Sequence, residues 1–329
     1  MEKKDFQNLR KEVMSASINY RRTVRLVTAE FLLWTILAGT VTYFKENSMI
    51  LLSTSVVVAV LMFRHFAIMH DCVHNAFFGR KKIWNNLLGN VSAIVCFLPF
   101  EPWRKVHLEH HYWSGNIDKD PVMALVHAYP KWPKFLKRIC TMFWRLWVPV
   151  LAVLQYGVFW IVCLQNTFTG KGTWHMRMSS LAPPLLWGTL FWIIPNSVVL
   201  FTLLPGVTIY LILVEVVNLP HHLELPKLEG EQVLKAREQY LTARSCVYPR
   251  WVAEYVTLNF NYHIEHHLFP QEPWHKLDLI AAKLKAALGQ AYNTDPLFEW
   301  IIKSKKLDLE TVIKTQGEAQ EYEKSRSVA

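Results

Sequence analysis

Two apolar runs of bilayer length constrain this chain more than any other feature. Residues 24–44 and 49–69 are nearly unbroken apolar stretches, separated by the polar turn Lys45, Glu46, Asn47 and Ser48. About 20 apolar residues cross the hydrocarbon core as a helix, because each backbone polar group there must be satisfied within the segment. Hydrophobic residues make up 52% of the 329, too many for a soluble domain of this charge content. The expected architecture is all-α and membrane-embedded, with about four transmembrane helices.

Charge orients these helices. Lys3, Lys4, Arg10, Lys11, Arg21, Arg22 and Arg25 precede the first run. A cation excess there places the N-terminus in the cytoplasm, and two crossings return the chain to that side just before His70. The first run is long and reads as an uncleaved helix, not a secretory signal. The net charge of +10 fits cytoplasmic-side loops and anionic lipid heads, and no nucleic-acid-binding module is present. Five cysteines without a C-x-x-C pair exclude a disulfide framework or a Cys-type zinc site.

Further along, residues 83–100 are apolar but interrupted by Asn85, Asn86, Gly89, Asn90 and Pro99, which predicts a shallow or re-entrant segment. Three apolar stretches follow, 139–166, 178–195 and 197–217. An even number must cross if all later sites share one side. Arg145 and Pro149 place 139–166 in the interface, leaving the other two as a hairpin around Pro195 and Asn196. Pro220 is expected to end regular helix. The division is a basic segment at 1–25, a membrane domain at 26–295 and a polar tail at 296–329, expected to be loosely ordered beyond about Lys305.

Histidine spacing supplies the chemistry. His263, His266 and His267 stand at i, i+3 and i+4, and so do His107, His110 and His111. With 14 histidines, chance predicts roughly 0.03 copies of this spacing, and there are two. On a helix the three rings are expected on one face, within reach of a shared metal. His70 and His74 form an i, i+4 pair at the mouth of the second apolar run. Asn218 and His222, four apart at the end of the last, are further candidates, with His221 competing. His65 reads as a buried, satisfied histidine; His127, His175 and His275 stand alone and read as structural.

Eight or nine imidazoles exceed what one ion can use, so two metals are implied. Imidazole suits several metals, but a zinc site rarely offers such a surplus, and a redox pair of iron ions with room for dioxygen fits better. Asp71, Glu109 and Glu265 lie inside the clusters and are expected to accept the second ring N–H of ligand histidines.

The segments His70-Asp71-Cys72-Val73-His74, His107-Leu108-Glu109-His110-His111 and Asn259 through Pro270, in that order between paired apolar helices, resemble the membrane fatty acid desaturase superfamily. Trp103-Arg104 and Asp120-Pro121, which flank the second segment, agree. The resemblance implies a four-helix membrane bundle with a cytosolic helical cap carrying the histidine clusters around two irons. It implies His70, His74, His107, His110, His111, His222, His263, His266 and His267 as metal ligands, and Asn218 as holder of a metal-bound water. The implied reaction uses dioxygen and two electrons to place a double bond in an acyl chain of a bilayer lipid. No H-P-G-G haem motif is present, and His263 stands where front-end desaturases carry Gln. Electrons must then come from a separate donor of ferredoxin, rubredoxin or cytochrome b5 type.

Arg80, Lys81, Lys82, Lys131, Lys134, Lys137 and Arg138 form a basic set that suits either an acidic electron carrier or lipid heads. Two other functions compete. A hydroxylase or ketolase of a carotenoid or other lipid would use the same metal cage. A zinc transporter or receptor would place ligands along a transit path instead of at one mouth. The membrane expected is a bacterial inner membrane or the endoplasmic reticulum, with the site on the cytoplasmic face.

Overall fold

The structure is a computed structural model describing residues 1–15, 19–169 and 172–314. The first helices are α1 (Lys3–Ser15), α2 (Tyr20–Tyr43), α3 (Ser48–Val73), α4 (Lys82–Val95) and α5 (Phe100–Tyr112). There follow α6 (Lys134–Arg145), α7 (Val150–Phe168), α8 (Trp174–Ile193) and α9 (Asn196–His222), the last with one π turn at Val199–Leu203. The remaining elements are β1 (Ser245–Val247), α10 (His263–Leu268), α11 (Leu277–Leu288), β2 (Thr294–Pro296), α12 (Leu297–Lys306) and α13 (Leu309–Lys314).

Among the described residues four helices are long and apolar enough to cross a bilayer: α2, α3, α7 and α9. Asn19 and Asn47 start the first two by accepting the backbone N–H of Arg22 and Ile50 at 3.1 and 3.2 Å, which satisfies otherwise orphaned donors. Helix α3 is the central post. Its 26 residues reach about 39 Å at about 1.5 Å per residue, and it is buried continuously from Leu61 to Val73. Gly206 lets α9 close on it: a Cβ there would meet Val58 Cγ1 at 2.8 Å. Thr54 and Thr202 hydroxyls join the same two helices at 3.0 Å.

The pair α4–α5 bends by 101°. It descends beside α3, where Cys96 Sγ donates to Met62 O, and returns to put His107 against His74. The bend suits the shallow or re-entrant segment expected for 83–100, and equally a single broken span.

The later crossings differ from expectation. Stretch 139–166 splits at residues 146–149. Arg145 falls in α6, and α7 beyond Pro149 is apolar enough to span. Helix α8 fails that test, because Arg177, Ser179, Ser180 and the Pro183–Pro184 pair dilute it. Its Ser179 and Trp187 bond the backbone of Glu101 and Ile94 at the bend between α4 and α5. Among the described residues α7, and not the helix over 178–195, passes the test of length and apolarity beside α9, which gives four candidate spans, or five if the bent pair α4–α5 counts as one. Pro220 also does not end α9, which runs on to His222; in a final turn only one bond is lost.

A cap covers the histidine end of the bundle. It holds α1, α10, α11 and the parallel pair β1–β2, registered Cys246 to Asp295. Phe6, Leu9 and Val13 of α1 pack on Ile264, Leu268, Ile280 and Leu284. The stretch expected as a loose tail is ordered through Lys314: Leu309, Val312 and Ile313 are buried against Trp144 of α6. Lys305 pairs with Glu215 of α9 at 3.0 Å. Residues 315–329 lie outside those described.

Candidate metal centre

Nine buried or nearly buried imidazoles converge where α3, α5, α9 and α10 end. Eight of them sort into two groups, in each of which the four candidate ligand nitrogens lie within 4.8 Å of one another. One is His74, His107, His111 and His266; the other is His110, His222, His263 and His267. His70 joins the first, its ring centroid 4.1 Å from that of His266 and 4.5 Å from that of His107.

This corrects the expectation of one shared metal per triplet. Residues i and i+4 are offset by about 40° around a helix, whereas i+3 sits about 100° from i+4. So His107 and His111 face the first group while His110 faces the second, and His263 and His267 face the second while His266 faces the first. Each triplet bridges both groups. The groups share a wall, with His111 and His267 stacked at 4.4 Å.

The outer nitrogens decide what the inner ones can do. His110 Nδ1 lies 2.9 Å from both oxygens of buried Asp120. His222 Nδ1 faces the Thr242 carbonyl at 3.1 Å. His267 Nδ1 faces Gln239 Oε1 at 3.3 Å, and that amide is oriented by its own donation to His111 O. All three partners are acceptors, so each Nδ1 carries the proton and each Nε2 turns a bare lone pair inward. His263 Nε2 then sits 2.7 Å from His222 Nε2 and 3.1 Å from His267 Nε2, and it can donate to only one of them. Converging lone pairs repel unless a cation lies among them. The donor set therefore fits a metal.

The first group repeats the contacts, with Nε2 pairs at 2.9, 3.2 and 2.9 Å along His74, His107, His111 and His266. Both ring nitrogens of His70 are buried without a hydrogen-bond partner among the described residues. Burial, then neighbouring imidazoles, holds His74, His263, His266 and His267 well below the usual histidine range, so all four stay neutral.

The acidic residues divide. Asp71 accepts from the Trp274 backbone at 3.0 Å, and its other oxygen is 3.5 Å from His70 Nδ1, too long for a good bond. Glu265 receives the hydroxyls of Ser245 and Tyr292 at 2.7 and 2.6 Å rather than a ring N–H, so it pins α10 to the cap. Glu109 departs from expectation altogether: it is exposed and 3.9 Å from Lys105. Position i+2 faces away from both groups, and Asp120, brought back by the loop after α5, stands behind His110 instead. Asp120-Pro121 was visible as a flanking motif, but no spacing pointed to Gln239 or Thr242.

Asn218 lies one turn before His222 and donates to Val214 O at 2.8 Å. His221 joins neither group; it stacks on His263 at 4.3 Å with both nitrogens unpartnered among the described residues. His65 is satisfied between Trp34 and Ser92 at 2.9 and 3.0 Å, as expected. On the bundle side, Trp103 stacks on His107 at 4.8 Å, and Phe260 lies 4.9 Å from His70. On the cap side, a cavity of about 230 Å³ between α1 and α10 reaches His111 and His267.

Two buried histidine groups able to hold metal ions, at one end of a bundle with four helices apolar enough to cross a bilayer, suit the class of membrane-embedded metalloenzymes. Residues 46–296 match the model of the fatty acid desaturase family, and the chain belongs to that family. It is 30% identical over 251 residues to an sn-1 oleoyl-lipid 12-desaturase of Picosynechococcus, covering 71% of this chain and 69% of that protein. A fatty acid desaturase of Bacillus subtilis is 25% identical over 244 residues, 69% of this chain and 66% of the relative. An sn-1 acyl-lipid omega-3 desaturase (ferredoxin) of Synechocystis is 25% identical over 263 residues, 73% of this chain and 69% of the relative. The protein is accordingly a desaturase-type oxidoreductase acting on lipid.

Proposed function

We propose that this enzyme is an oxygen-dependent di-iron desaturase that introduces a double bond into the acyl chain of a bilayer lipid. The observation that carries the reading is the set of inward lone pairs whose tautomers Asp120, Thr242 and Gln239 hold. His70, His74, His107, His111 and His266 would hold one iron; His110, His222, His263 and His267 would hold the other. Asn218 is proposed to reach a metal-bound water. When bound, the iron pair supplies an oxygen-derived oxidant able to take hydrogen from an unactivated C–H bond.

The protein's own residues hold the geometry. Asp120 keeps His110 in one tautomer and offsets metal charge. Glu265, bonded to Ser245 and Tyr292, fixes the short helix that supplies three of the nine rings. The wall of Phe66, Trp103 and Phe260 on the bundle side of His70 and His107 gives an acyl chain an apolar bed and keeps water away. Two acyl C–H bonds, dioxygen, two electrons and two protons balance to one C=C bond and two waters. The electrons come from a separate one-electron carrier of ferredoxin, rubredoxin or cytochrome b5 type. The cations before α2 support a cytoplasmic position for the site.

The test is expression in a host of known lipid profile, followed by mass spectrometry of its acyl chains. Loss of two hydrogens at a fixed position is the expected result. Gain of one oxygen without loss of hydrogen would instead establish a hydroxylase and overturn the reading.

A further inference from the structure

Helix α6 has three faces, and only one is explained by packing. At about 100° per residue, Cys140 and Trp144 share the inner face, where both are buried. Lys134, Lys137, Arg138 and Arg145 fall together on a second face. Phe135, Ile139, Met142, Phe143 and Leu146 fall on the third, and all five are exposed. The chain then turns at Trp147 and enters α7, which is long and apolar enough to cross a membrane. An exposed apolar sector beside a cationic one, at the foot of a span, is the pattern of a helix lying in the lipid–water interface.

The cationic face lines a groove of about 1030 Å³ with Asp308, Glu310 and Thr311 on its far side. Lys137 pairs with Glu310 at 3.3 Å and Arg145 with Asp308 at 2.9 Å. Lys134 and Arg138 are exposed and carry no carboxylate partner among the described residues. We propose that this groove is a binding site for the anionic phosphodiester headgroup of a bilayer lipid, held by Lys134 and Arg138 while the apolar face of α6 lies among the acyl chains. A water-soluble acidic carrier would meet the same cations, but Met142 and Leu146 line the groove beside them and suit an acyl chain next to the headgroup. A lipid covers both faces. Charge complementarity and the adjacent span thus select the membrane as the occupant. The inference concerns lipid retention and stands apart from the metal chemistry.

The experiment uses the full chain, with its metals, in nanodiscs of phosphatidylcholine containing phosphatidylglycerol. Lipid retained on extraction is counted by native mass spectrometry for wild type, for Lys134→Gln/Arg138→Gln, and for the charge-keeping Lys134→Arg/Arg138→Lys. Two interfacial cations predict a roughly thirty-fold drop in phosphatidylglycerol retention for the first variant and near-wild-type retention for the second. Metal content should stay unchanged in both. In parallel, a fluorophore on Met142→Cys should be quenched by brominated lipid and spared by aqueous iodide. Equal phosphatidylglycerol retention by wild type and the neutral variant would overturn the proposal, as would quenching by iodide alone, which would mark a protein-docking face.

Discussion

Replacing Asp120 with Asn tests how the second histidine group is held. The carboxylate accepts the His110 ring N–H at 2.9 Å, Val122 N–H at 2.9 Å and Gly115 N–H at 3.2 Å. Asparagine offers one oxygen and one NH2 in the same volume. Whichever way it turns, one backbone N–H meets another N–H, at a cost of about 1–3 kcal/mol for a buried unsatisfied donor. The charge behind His110 is lost as well, and losing such an outer partner weakens metal binding about 10–100-fold, or about 1.4–2.7 kcal/mol. Because His110 belongs to one group only, the loss should be one-sided. Anaerobic protein is equilibrated with a graded iron(II) chelator, and bound iron is counted at each step. Asp120→Asn should release one equivalent at about 10–100-fold lower chelator while the other follows wild type. Release of both equivalents at wild-type chelator concentrations would refute the argument.

Other consequences can be checked with smaller experiments. Glu109→Gln should leave iron content and chelator resistance unchanged, since that side chain is exposed; any loss of metal shows that it does face the site. Burial, with Arg22 and Lys276 adding to it, lowers His275 to about 4. Above the usual 6.5 the ring is neutral in both states. Below it the unfolded chain takes a proton that the fold refuses, so stability falls with pH from about 6.5 towards 4, by at most about 1.4 kcal/mol per unit. His275→Gln should flatten that part of a Tm-against-pH curve, and an unchanged curve counts against it. Single cysteines at Glu46 and Thr169 should react with an impermeant maleimide from one side of sealed vesicles, and Lys303→Cys from the other. Labelling of Thr169→Cys from the Lys303 side would show that α7 does not cross.

What could be read from the chain, and what could not, follows from the range of the signals. The histidine spacing and the two apolar runs act locally, and they placed α2, α3 and the rings at one mouth. The division of each triplet between two groups is also local, since it follows from helical angle, but it shows only once both groups exist. Glu109 lies inside its cluster in sequence, whereas Asp120, known from the sequence only as part of a flanking motif, reaches His110 through a loop. The same holds for Gln239 and Thr242, which come from a polar stretch without periodicity. Arg145 weighs against a span over 139–166 only if that stretch is one element; it lies in α6, and the apolar α7 begins after Pro149. The charged region after residue 296 masked Leu309, Val312 and Ile313, whose partner Trp144 lies more than 160 positions earlier.

The most direct measurement is metal content with metal identity in protein purified anaerobically, read by elemental analysis alongside Mössbauer spectra of material grown on ⁵⁷Fe. Nine imidazoles in two groups predict two iron ions per chain in nitrogen-rich sites. They also predict loss of one iron when His222 is replaced by Ala and loss of the other when His74 is. Zinc in place of iron in active protein, or a single ion per chain, would contradict the account.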